Sequence, residues 1–169
     1  KDASLRRHNA IAEQLLLMSK AAGAFHTTWT PKFDQCQPDL EVFFPSQTPS
    51  IIEVSVISPS CPSFIQSIKS HIFPRAAAKA REASKTNNYK HLISHSRSFF
   101  PAVLEAYGSF GPQLESLIHQ WAFKISVASN TPLARVLNNW RSSLSVALHR
   151  GNAKISFCLG TRALIIPIP

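Results

Sequence analysis

The sequence predicts a mixed α/β fold, and three observations predict it. The chain opens on an amphipathic helix pattern. Two short β-branched stretches joined by a proline-containing turn follow. An alanine-rich basic helix then leads to a further strand and two long amphipathic helices. With 169 residues, of which 44% are hydrophobic, the chain is long and apolar enough for one domain with a real core, and its composition excludes a disordered chain. No run of about 18 apolar residues occurs, so no membrane-spanning helix is predicted.

The elements follow in order. Residues 2–22 predict a helix capped by Asp2 or Ser4, with Leu5, Ile11, Leu15, Met18 and Ala22 toward the core and Gly23 as its stop. Arg6, Arg7, His8 and Asn9 form a polar cluster near its start. That cluster is either a solvated first turn or a group of donors aimed at a phosphate. Thr27–Phe33 predicts an edge strand broken by Pro31. The next two strands are Leu40–Phe44 and Ile51–Ile57, joined by Pro45–Ser50, whose prolines, serines and threonine are turn chemistry. Phe64–His71 predicts one or two helical turns ended by Pro74. Arg75–Asn87 predicts a helix that lays alanines 76, 77, 80 and 83 on the sheet. Phe99–Ala106 predicts a strand at an edge or bulge because of Pro101. Pro112–Val127 and Pro132–Arg150 predict two helices that pack on each other through Leu114, Leu117, Ile118, Trp121 and Ile125 on one, and Leu133, Val136, Leu137, Trp140, Leu144 and Leu148 on the other. Gly151 is expected to end the second, which makes residues 1–151 the domain and 152–169 a disordered or foreign tail. The first residue, Lys1, and the uncapped end at Pro169 predict a piece of a longer polypeptide.

The charge balance narrows the partners. Eighteen Lys and Arg against nine Asp and Glu give a formal charge of +9, which favours an anionic partner, nucleic acid ahead of a membrane surface. Between Lys69 and Arg97 stand seven Lys or Arg and a single acid, Glu82. A helix without balancing glutamates points toward phosphates more than toward bulk water. Arg81, Lys85 and Tyr89 fall in one i, i+4 row. Cys36, Cys61 and Cys158 are odd in number and far apart, with neither a disulfide framework nor zinc spacing.

Two acids stand out. Asp39 begins the first of the paired strands, and Glu53 sits among Ile51, Ile52, Val54 and Val56 in the second. A carboxylate inside a β-branched run is costly to bury unless a cation or donor meets it. Two acids on paired strands are suited to a divalent metal. The residues alone equally allow Asp39 to cap a turn and Glu53 to face water.

The order and spacing of these residues resemble the PD-(D/E)xK nucleases, and more narrowly the restriction-like endonuclease domain at the C-terminal end of R2-type non-LTR retrotransposon polyproteins. The matching residues are Arg7-His8-Asn9 on the leading helix, Pro38-Asp39-Leu40, Glu53-Val54-Ser55-Val56 fourteen positions after the first acid, Lys85-Thr86-Asn87-Asn88-Tyr89, and loosely Phe100–Gly108. The resemblance implies a restriction-endonuclease-like αβββαβ core with additional C-terminal helices. It further implies a Mg²⁺ or Mn²⁺ ion on Asp39, Glu53 and the Val54 carbonyl, with Lys85 as catalytic lysine and Lys79 second in line. Arg7, His8, Lys79, Arg81 and Tyr89 would meet DNA. The implied activity is nicking of target DNA to prime reverse transcription in the nucleus, with the reverse transcriptase part of the same polyprotein and its RNA as partners, and no membrane or small-molecule substrate. The chain departs from the family in three places: Glu53 replaces the usual Asp, Ser55 stands where ordinary nucleases carry the lysine, and Asn88 replaces the second lysine of the helix motif. Those departures keep open a catalytically decayed, non-enzymatic nucleic-acid-binding module of a retroelement protein.

Overall fold

The computed structural model of the chain describes residues 2–29, 38–90 and 97–163. Nine elements follow one another: α1 (Asp2–Ala21), β1 (His26–Trp29), β2 (Leu40–Phe43), β3 (Ser50–Ile57), α2 (Pro62–Ile68), α3 (Ala76–Asn88), β4 (Ser98–Glu105), α4 (Pro112–Ser129) and α5 (Leu133–Ala163). The fold is mixed α/β. Its four strands lie in the order β1-β2-β3-β4. The first three are antiparallel, and β3 and β4 are parallel, because α2 and α3 form the crossover between them. The predicted edge strand is found at 26–29. Its remainder at 30–33 lies outside the described residues, as do Cys36 and residues 164–169 of the tail. Pro101 sits on β4, the other outer strand, where its missing N–H breaks no ladder.

Period-two alternation sorts β3 into two faces. Ile52 and Val54 join one large apolar cluster with Leu40, Val42, Ala102 and Leu104, under Ile11, Leu15 and Met18 of α1 and the inner faces of α4 and α5. Ile51, Glu53 and Ser55 are buried on the opposite face, where α3 lies: Lys85 reaches Glu53, and the Ala78 amide donates to Glu105 Oε1 at 3.1 Å. A helix thus covers each side of the acid-bearing strand.

Three expectations are corrected by packing. Leu5 is 58% exposed, because the first turn of α1 runs past the core rather than over it. The sheet-facing side of α3 is Ala77, Ala78 and Glu82, not alanines 76, 77, 80 and 83: Ala83 is exposed, and the only acid of the basic stretch points inward. Helix α5 does not stop at Gly151 but continues to Ala163. Gly151 is buried where α5 crosses α1, and a Cβ there would fall 2.5 Å from Arg7 Cβ and 3.0 Å from its Cα. The glycine permits a close helix crossing and terminates nothing. Asn152, one residue into the expected tail, donates to the Ala106 carbonyl at 2.7 Å and accepts from Arg7 Nη1 at 2.6 Å.

Candidate active site

The hairpin register builds the site. Leu40 pairs with Ile52 and Glu41 with Ile51, and the Asp39 amide donates to the Ile52 carbonyl at 3.0 Å, which holds Asp39 at the end of the β2–β3 ladder beside the Ile52–Glu53 peptide. Opposed residues of an antiparallel pair share a face. The turn that enforces this register contains Ser46 at φ 58° and a Gln47 amide bond to the Phe44 carbonyl.

Each acid has a distinct set of partners. Asp39 Oδ2 accepts the Val54 amide at 2.6 Å, and Oδ1 meets His8 Nε2 at 2.7 Å. Glu53 Oε1 accepts the Lys85 ammonium at 2.5 Å, and Oε2 is buried with no hydrogen-bond partner among the described residues. Lys85 Nζ also stands 5.8 Å from the Tyr89 ring centroid. Four segments far apart in sequence, on α1, before β2, on β3 and on α3, therefore converge. A cavity of about 320 Å³ opens here, and its wall includes Ser4, Arg7, His8, Glu53, Ser55 and Lys85.

The electrostatics follow from burial. Desolvation pushes the Glu53 carboxyl above its ordinary value, the Asp39 charge adds to the push, and the nearby Lys85 and Tyr89 side chains oppose it. The hydrogen bond to Asp39 raises the His8 imidazole above its ordinary value against the effect of burial, and the charges of Asp39 and Glu53 act in the same direction. The cavity thus sets the Glu53 carboxylate among Lys85, Arg7 and His8, with Oε2 buried and without a hydrogen-bond partner among the described residues.

The predicted DNA-contacting residues divide. His8 faces Asp39, so its first partner is an acid of the site. Arg7 is half-buried at the α1–α5 crossing, with Nη1 on Asn152 and a buried Nε that has no partner among the described residues. Lys79 is exposed, and Arg81 is half-buried with a buried Nε that has no partner among the described residues. Tyr89 differs from the expected DNA-facing position: it is 5% exposed, with its ring stacked on Phe99 at 4.7 Å and 12°.

Two supporting acids are not marked by any motif. Gly111 offers no side chain to cap α4, and Glu82 Oε1 instead accepts the Gln113 amide at 3.0 Å. Arg75 likewise gives α3 no side-chain cap, and Glu105 accepts the Ala78 amide. Each glutamate satisfies a helix N-terminus from another element, which locks α3, β4 and α4 around the site. The lone acid in a basic helix is the sequence signal for Glu82, and Glu105 carries none.

No family model matches the chain, and no curated protein matches it. Among the described residues no group of three or more His, Cys, Asp or Glu is placed to hold a metal ion, so any cation here would rest on the two carboxylates and backbone oxygen. No described helix is long and apolar enough to cross a membrane.

Proposed function

We propose that this chain is a metal-dependent DNA endonuclease domain of the restriction-like PD-(D/E)xK kind, one that nicks DNA for a retroelement's reverse transcriptase. The observation that carries the reading is the meeting of Glu53 and Lys85 at one cavity, with Asp39 held behind it by His8 and the Val54 amide, and with Glu53 Oε2 buried and without a partner among the described residues. A pure binder gains nothing from two acids aimed where phosphates would lie, since each repels the ligand. The element order, α1 then three strands, then the helical crossover of α2 and α3, then β4, supports the αβββαβ assignment.

The residues fit a hard dication. An orphaned buried carboxylate oxygen, raised in proton affinity by burial and by a second acid, is an oxygen ligand suited to a cation. Glu53 and Asp39 would hold Mg²⁺ or Mn²⁺, with the Val54 carbonyl completing the protein ligands. The ion would polarise the phosphoryl oxygen and acidify an attacking water. Lys85 holds its ammonium beside the same carboxylate and stabilises charge on the phosphate. His8 and the Val54 amide fix the Asp39 carboxylate from two sides.

The test is plasmid nicking by purified protein with Mg²⁺ or Mn²⁺. Weak nicking with little sequence preference is expected, because the domain carries charge but no evident base-reading element. Asp39→Ala should abolish it while DNA binding stays the same or tightens slightly. Binding without nicking under either metal would favour the decayed module, and nicking that survives Asp39→Ala would put the chemistry elsewhere. The reverse transcriptase and its RNA as partners, and nuclear localisation, belong to the same proposal.

A further inference from the structure

Helices α1 and α5 pack closely on each other, and their crossing at Arg7 and Gly151 lies beside a second concavity. It has a volume of about 460 Å³. Its positive charge is concentrated at one end, where Arg6 and Arg7 of α1 meet Arg150 and Lys154 of α5. Its acid, Glu13, lies about two helical turns along α1 from Arg6. Arg7 lines both this groove and the cavity of His8, Glu53 and Lys85, so the two concavities adjoin at Arg7. Val146 is the single bulky apolar residue in the lining; the rest is small, polar or charged, which lacks the broad apolar face that a helix lying in a membrane surface needs.

From this adjacency and the cluster of four cations we infer that the α1–α5 groove is a second phosphate track, holding the sugar-phosphate backbone of the same nucleic acid as it leaves the cavity of Glu53 and Lys85. The inference rests on the nuclease reading for the direction of the strand, and it adds residues that no motif of the leading helix or the basic helix contains. Arg150 and Lys154 are the added phosphate ligands. Both are exposed, and both lie on the part of α5 that is ordered against α1 through Arg7 and Asn152. The track also gives the helical extension beyond Arg150 a role in binding.

The test compares two charge-matched double variants of the whole chain on a DNA duplex over a range of salt. Arg150→Ala/Lys154→Ala should weaken binding and reduce the slope of log affinity against log salt by nearly two units, at about 0.9 for each phosphate that is no longer neutralised. Lys20→Ala/Arg135→Ala removes two exposed cations elsewhere on the same helices and should leave the slope unchanged. Thermal melts of all three proteins with no DNA check that the folds are equivalent. Equal loss in the two variants, no loss in either, or no duplex binding by the wild type overturns the inference. So does binding to phosphatidylserine vesicles that Arg150→Ala/Lys154→Ala abolishes while duplex binding persists. Nicking is scored separately: a wild type that binds with the predicted slope change but never nicks overturns the nuclease reading and leaves the track standing, whereas a nicking wild type with unchanged slopes removes the track alone.

Discussion

The backbone amide of Val54 donates to Asp39 Oδ2 at 2.6 Å, so the strand that carries one acid of the site also fixes the other. The bond is charge-assisted and partly buried, the kind that contributes most to order. It makes the Asp39 carboxylate a part of the β2–β3 hairpin rather than a free side chain. Replacing Asp39 by Ala should therefore destabilise the fold by about 2 kcal/mol as the Val54 amide and His8 lose their acceptor, and Asp39→Asn, which keeps an acceptor, should cost less. Urea unfolding of both variants measures the difference.

Lys85 and Glu53 are both largely buried, with side-chain exposures of 16% and 10%. Lys85→Met leaves Glu53 without its cation and should destabilise by about 3 kcal/mol. Adding Glu53→Gln to it should recover part of that loss, because no buried charge then lacks a partner. Mg²⁺ should raise the melting temperature of wild type and of Lys85→Met but not of Glu53→Gln. A metal-independent melt in all three would count against a cation at Glu53.

The pH dependence of stability should carry the signature of His8. Its folded proton affinity is raised above the ordinary value of 6.5, so the folded state holds the proton more tightly than the unfolded chain. The sign follows: the His8–Asp39 pair stabilises fully below pH 6.5 and is lost as pH rises through the folded value. His8→Gln should cost about 1.5 kcal/mol near pH 6 and progressively less toward pH 9. Stability curves of the two proteins that stay parallel across this range would contradict the pairing.

Gly151→Ala separates two rules. On helix propensity alone the change should stabilise by about 1 kcal/mol. At this crossing the new methyl group meets the Arg7 stem and backbone, so it should instead destabilise by about 1–3 kcal/mol through overpacking. Differential scanning calorimetry reads the sign directly.

Glu82→Ala should destabilise by about 1–2 kcal/mol, since the first turn of α4 has no cap of its own. Glu82→Gln should restore most of it by keeping an oxygen acceptor. Amide exchange at Gln113 provides the local measurement: faster in Glu82→Ala, near wild type in Glu82→Gln.

The order of the elements and the acidic pair were legible without any tertiary information. Helical and strand periods are local properties, and α1, the β2–β3 hairpin, α3, β4, α4 and the start of α5 all lie where the apolar spacing sets them. Asp39 and Glu53 could be paired because one short turn joins their strands, which leaves little freedom in their register. The basic helix offered Lys79 and Arg81 as well, and only the resemblance ranked Lys85 first; the fold sets its ammonium on Glu53. Packing between distant segments settled the remainder. Whether Tyr89 meets solvent or Phe99, whether Glu82 faces water or the amides of α4, and whether Gly151 ends a helix or admits a neighbour depend on residues far away in the chain. His8 shows the division most clearly: the sequence left its cluster either solvated or aimed at a phosphate, and the fold supplied an anion from within, as Asp39. Local periodicity determines which face a side chain takes on its own element; what stands opposite that face is set by the packing of the whole chain.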